Sequence, residues 1–138
     1  MLKIKKGSLK GKDIIMIVFL ILVISIVILW KPLRLDRFSL IPSKIDWVDC
    51  IKVNDKMYYN NTFPREEIDS SEVGEKLGKV KFIVSKKVSN SSYKLRNFDA
   101  TYLEEGTKIY RMKNTEESIT VEIDGKYYSY HMDPRDIQ

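Results

Sequence analysis

Seventeen consecutive residues, Ile14 to Trp30, carry no charge and a single hydroxyl, that of Ser25. A helix rising about 1.5 Å per residue covers roughly 25 Å over such a run, the short end of what a bilayer core requires. Few fates are open to it. A buried core helix apolar on every face needs apolar neighbours all round, and a chain of 138 residues has little to offer. A cleaved signal peptide has a shorter apolar region and then a small-x-small site, which Leu29-Trp30-Lys31-Pro32 does not supply. No cysteine ends the run, as a lipoprotein would need. Residues 14–30 therefore read as an uncleaved transmembrane signal-anchor helix, with the lipid bilayer as its first partner.

Charge gives the helix a direction. Lys3, Lys5, Lys6, Lys10 and Lys12 precede it, against one acid, Asp13. Clustered lysines resist translocation, so residues 1–13 are expected in the cytoplasm and the rest of the chain outside. Lys31, Arg34 and Arg37 make the bias less than one-sided. Lys12 and Lys31 can reach the headgroups, and Trp30 suits the interface.

The overall charge of +5 invites a nucleic-acid reading, but its distribution does not support one. Of 24 basic and 19 acidic residues, five lysines and one aspartate precede residue 31, leaving 19 basic and 18 acidic residues beyond it. The positive excess is thus a topology signal, not a phosphate-binding footprint. Cys50 is the only cysteine, so no intrachain disulfide can form, and a domain outside the membrane must hold by its core. In an apolar, strand-like stretch it reads as a buried, inert thiol. Abundant lysine and isoleucine suit a bacterial source of low GC content.

Residues 31–45 read as a juxtamembrane linker. Pro32 and Pro42 discourage a continued helix, and the mixture of Leu33, Leu35, Phe38, Leu40 and Ile41 with Arg34, Asp36 and Arg37 suits either the headgroup level or a plain spacer. From Asp46 the pattern becomes β. Asn54-Asp55 predicts a two-residue hairpin in which Cys50 opposes Tyr59 and Ile51 opposes Tyr58. Asn60 to Asp69 reads as loop. Ser70 or Ser71 could cap a short helix running to Leu77 and ended by Gly78. Lys79 to Lys86 alternates as a strand, Val88 to Leu95 reads as loop, and strands are expected at Ala100 to Leu103 and Lys108 to Met112. Asp124-Gly125 is a strong type I′ signal between Ser118–Ile123 and Lys126–Met132. Its register puts Ile119, Val121, Tyr128 and Tyr130 on a core face, with Thr120, Glu122, Tyr127, Ser129 and His131 on the other. The expected fold is mainly β: one transmembrane helix, then a small antiparallel β barrel or sandwich over residues 46–133 with at most one short helix, and a tail at 134–138.

Several of these segments resemble a family. Asp46-Trp47-Val48-Asp49, Ile51-Lys52-Val53-Asn54 and Tyr58-Tyr59 come first, then Gly78-Lys79-Val80-Lys81-Phe82, then Asp99 to Tyr110 and the closing Asp124-Gly125-Lys126. In this order they resemble an uncharacterised family of small exported proteins of Bacillus-like Firmicutes, many of them lipoproteins. The resemblance covers roughly Asp46 to Tyr130, and Leu103-x-x-Gly106-Thr107-x-Ile109-Tyr110 is its most specific piece. The chain departs from the pattern in its uncleaved anchor and in Asp55, where glycine is usual. The resemblance implies export and fold class, and no catalytic residue.

Reaction chemistry finds little support in the residue types. His131 is the only histidine, and a set with Ser118 and Asp133 lacks a nucleophile elbow or an oxyanion element. Asp46, Asp49 and Asp55 fit no EF-hand spacing and read as solvated strand-edge charges, and one histidine with one cysteine makes no zinc pattern. No catalytic, cofactor-binding or metal-binding residue is assigned and no cofactor is expected. Seven of the eight tyrosines fall on predicted strands, mostly as scaffold. Tyr59, Tyr127 and His131 form a candidate contact patch for an envelope or extracellular protein or a glycan. The leading expectation is a membrane-anchored protein displaying a small binding or interaction domain outside the cell. A small envelope enzyme or inhibitor, and an accessory subunit of a membrane complex, are its rivals.

Overall fold

The structure, a computed structural model, describes residues 10–41 and 44–136. Lys3, Lys5 and Lys6 of the basic tail, and Pro42 of the linker, lie outside the described residues. The chain divides into two compact units, residues up to Asp36 and residues from Arg37 onward.

The first unit is dominated by α1, Gly11–Leu29, a helix long and apolar enough to cross a membrane, with none of its residues buried. It begins three residues before the apolar run. Asp13 explains the extension: its carboxylate accepts from the Lys10 backbone N–H at 3.1 Å and sets an acid in the positively polarised first turn. Ser25, the one polar side chain in the run, donates to the Ile21 carbonyl at 2.8 Å. Its hydroxyl is thereby satisfied within the helix. Beyond Leu29 the chain keeps coiling, with Leu33 N–H on the Leu29 carbonyl and Leu35 N–H on that of Trp30. A 3-10 turn follows at Leu35–Arg37.

The second unit is one curled, open sheet of nine strands: β1 Cys50–Val53, β2 Lys56–Tyr59, β3 Glu67–Ile68, β4 Val73–Lys79, β5 Phe82–Ile83, β6 Asp99–Ala100, β7 Lys108–Met112, β8 Ser118–Ile123 and β9 Lys126–Met132. The order is β4-β7-β8-β9-β2-β1-β6-β5, with β3 also on β9. The mainly β class stands as read. The sheet differs from an all-antiparallel one in its last pair, because β5 runs parallel to β6.

Both hairpins have the predicted register: Cys50 faces Tyr59 and Ile51 faces Tyr58, while Ile119 faces Tyr130 and Val121 faces Tyr128. The turns are built as their sequences require, with Asn54, Asp55, Asp124 and Gly125 all at positive φ. β9 is the strand on which the rest is assembled. Along one edge it pairs with β8 throughout; along the other it pairs first with β3, at Tyr127 and Tyr128, and then with β2, at His131 and Met132. The main core joins Ile51, Val53, Tyr58, Ile109, Ile119, Val121 and Tyr130, and a second cluster joins Phe82, Val84, Val88 and Tyr93 with Trp47 and Leu95 around it.

Local expectations fail where pairing is non-local. The helix expected from Ser70 or Ser71 to Leu77 is a single 3-10 turn, Ser70–Glu72, followed by β4. Asp69 caps that turn, its carboxylate accepting from Ser71 N–H at 2.8 Å. The spacing of Val73 and Leu77 fits four strand steps as well as one helical turn, and β4 takes the strand by pairing with β7. Two register shifts interrupt that ladder. Gly74 is needed there, because a Cβ on it would lie 2.8 Å from the Arg111 carbonyl oxygen. The strand expected at Lys79 to Lys86 shrinks to β5, since the chain turns into a one-turn helix, α2, Val84–Lys87. Its alternation still holds in burial: Val80, Phe82 and Val84 are buried, Lys79 and Lys81 exposed. The strand expected at Ala100 to Leu103 is only Asp99–Ala100, and the supposed loop after Asn60 contains β3.

Gly74→Ala is expected to cost about 1–3 kcal/mol, because backbone at a ladder cannot give way as a side chain can. Gly78→Ala meets the Phe98 ring at 2.7 Å, and that ring can shift. Chemical denaturation of the two variants checks the order, with Gly74→Ala the weaker fold.

Candidate binding site

The loop between β2 and β3 builds a concavity of the second unit. The chain leaves β2 at Tyr59 and returns to β9 as β3, so residues 60–66 bow out beside Ser129 and Tyr130. The bow contains a cis peptide between Phe63 and Pro64 and leaves Phe63 102% exposed. It is fastened at its far end by Ser129 N–H on the Glu66 carbonyl, at 3.1 Å.

Asp49 fastens the near end. It sits one residue before β1, and its carbonyl accepts from Asn60 N–H at 2.9 Å. Its carboxylate gathers the loop. Arg65 donates to Oδ2 through Nη2 at 2.9 Å and Nε at 3.2 Å, and Asn60 Nδ2 donates to the same oxygen at 3.1 Å. The Tyr130 hydroxyl donates to Oδ1 at 3.1 Å and itself accepts from Arg65 Nε at 3.0 Å. Asp49 is thus a partly buried hub, not the solvated strand-edge charge its sequence suggests. Burial works against a charged Arg65, but Tyr130 and Asp49 outweigh it and hold the guanidinium above its ordinary range. Burial, followed by the Asp49 charge, pushes the Tyr130 phenol well above its ordinary value.

Around this hub lies a groove of about 690 Å³ lined by Asn61, Thr62, Phe63, Pro64, Tyr102, Ile123 and Tyr128 together with Asp49, Asn60 and Arg65. A concave, mainly apolar wall with a few fixed polar groups is the usual form of a ligand site. The charged residues of the lining, Asp49 and Arg65, neutralise each other, so the groove suits a neutral ligand. Tyr102 is not on a strand as expected; its hydroxyl donates to the Trp47 carbonyl at 2.9 Å, leaving a half-exposed ring at the groove.

The structure brings the three contact-patch residues to one face of the sheet, opposite that of Tyr128 and Ile123. Tyr59 and His131 are register partners, and Tyr127 lies four residues up β9 on the same side. Tyr127 packs edge-on against Tyr110, ring centroids 5.9 Å apart. Tyr110 donates to Glu122 at 2.7 Å, which pushes its phenol up to about 12 and holds the Glu122 carboxyl below its ordinary value. His131 Nδ1 lies 2.7 Å from Ser118 Oγ, while Nε2 lies 3.1 Å from Ser129 Oγ and 3.5 Å from Glu66. The Ser118–His131 contact is therefore real, but Asp133 is not its third member: it pairs with Arg135, which brings its carboxyl down to about 2. Ser118 is buried, and its hydroxyl is a hydrogen-bond partner of the ring. Asp55 pairs with Lys52 at 3.5 Å, and among the described residues no cluster of metal-ligating side chains gathers.

Sequence reasoning missed Arg65, Phe63 and Tyr102. Phe63 and Arg65 had one signal, an aromatic and a proline inside the polar stretch Asn60-Asn61-Thr62-Phe63-Pro64-Arg65, and Tyr102 had none. No protein family, curated protein or solved structure matches this chain.

Asp49→Ala is expected to destabilise the fold by about 2–4 kcal/mol, since it leaves Arg65 and the Tyr130 hydroxyl without their acceptor. Adding Arg65→Ala should recover part of that loss, measured as a double-mutant cycle by chemical denaturation. Cys50 is buried and burial pushes its thiol up to about 11, so alkylation by iodoacetamide at neutral pH should be slow in the native protein and fast once it is unfolded.

Proposed function

We propose that this is a single-pass membrane protein, N-terminus cytoplasmic, that displays its β domain outside as a binding module for an envelope or extracellular protein or glycan. The groove beside Phe63 carries the proposal. It is concave, aromatic and electrically neutral, and its loop is held in shape by the Asp49–Arg65–Tyr130 network before any ligand arrives. An exposed phenylalanine at the rim has no structural duty and is free to contact a partner. The helix α1 supports attachment, and the lysines before it support the outward orientation. The resemblance of Asp46 to Tyr130 to small exported bacterial proteins agrees with that side of the membrane.

Two measurements test this. A tag after Gln138 should be removed by protease on intact cells; protection would place the domain in the cytoplasm and overturn the orientation. The detergent-solubilised full chain should be retained on isolated cell envelopes, and Phe63→Asp should weaken retention several-fold with no change in melting temperature. Tyr59→Ser with Tyr127→Ser, on the opposite sheet face, should leave it unchanged. Loss through the tyrosine pair and not through Phe63 would move the binding surface to the contact patch.

A further inference from the structure

The segment just after the membrane helix does not hang free of the β domain. The Arg37 carbonyl accepts from Ser89 N–H at 2.9 Å and from Asn90 N–H at 3.1 Å, and Ser39 N–H donates to Ser89 Oγ at 3.1 Å. The Arg37 guanidinium lies over the Phe38 ring, 4.6 Å from its centroid. This fastened segment then presents large apolar groups outward: Phe38 is 57% exposed, Leu40 103% and Ile41 79%. Three such groups within four residues exceed the scattered exposure of an ordinary surface.

We infer that Phe38, Leu40 and Ile41 insert into the interface of the same bilayer that α1 crosses. The occupant follows from chain length. Phe38 comes nine residues after Leu29, the end of α1, which fully extended chain spans in about 30 Å. The coiled bonds at Leu33 and Leu35 and the 3-10 turn at Leu35–Arg37 shorten that reach further. Lipid is therefore the apolar phase always within reach of these side chains. Charge agrees: Lys31, Arg34 and Arg37 against Asp36 give residues 31–41 a net +2, the balance of a segment that lies on anionic headgroups. Ser39 Oγ donates to the Ile41 carbonyl at 2.9 Å, which satisfies a backbone group that would otherwise enter the interface bare.

The inference rests on α1 being inserted, and the experiment separates the two. The full chain with Cys50→Ala is reconstituted at one copy per nanodisc of mixed phosphatidylglycerol and phosphatidylcholine. Spin labels are placed at Leu40→Cys, Ile41→Cys and, as a reference, Asn114→Cys, all exposed positions. Labels at 40 and 41 should show several-fold less collision with a water-soluble nickel chelate and more with oxygen than the label at 114. Equal collision at all three sites, with the chain still in the disc, overturns the docking and leaves the span intact. Loss of the chain from the disc overturns the span itself. Shielding at 40 and 41 that appears only with two or more copies per disc overturns lipid as the occupant and assigns the patch to a second copy of the chain.

Discussion

The β unit depends on the pairing of β9. This strand alone has three partners, and each does a different task. β8 fixes its register through a type I′ hairpin; β2 continues the sheet toward β1, β6 and β5; β3 takes the portion of the edge that β2 does not reach. Tyr130 lies between the last β3 pair and the first β2 pair and is fully buried. Between those pairs Ser129 N–H still bonds the Glu66 carbonyl, and residues 60–66 bow out beside it. With no disulfide available, this shared strand and the core it carries, Tyr130, Ile119 and Val121 among them, hold the unit together.

The Asp49 network then converts a gap in the sheet into a shaped surface. A buried phenol needs a partner for its hydroxyl, and a partly buried carboxylate needs donors; each supplies the other, and Arg65 bridges them. All three come from different parts of the chain: before β1, after β2, and within β9. The loop is thereby held from both sides by long-range contacts, while its tip, Asn61 to Pro64, is left exposed. That division, a fixed base and an open rim, is the arrangement in which the ordering cost of binding is met by folding.

What was legible in the sequence follows the range of the interactions. Asp124-Gly125 and Asn54-Asp55 specify their turns locally, so hairpin register and the faces of β8 and β9 could be read residue by residue. The same parity placed Tyr127 and His131 on one face, while Tyr59 joins them only because β2 lies beside β9. Ser70 to Leu77 was misread because its apolar spacing fits a helix and a strand alike, and β7, some thirty residues on, decides between them. The groove was illegible for a related reason. Asp49, Arg65, Tyr102 and Tyr128 share no local pattern, and the sheet alone brings them together. Asp49 in particular alternates as a surface residue should, and only the returning loop encloses it.

An open sheet has two edges, and both are guarded here. β4 carries the exposed charges Glu75, Lys76 and Lys79 and two register shifts that break the regular row of backbone groups a second chain would need. At the other end β5 is two residues long and gives way at once to α2, whose Lys86 and Lys87 pair with Glu104 and Glu105. An unguarded strand would pair with another chain by backbone alone, whatever its side chains. With these strands closed in this way, contact with another chain is left to surfaces where side chains decide, of which the neutral groove is one.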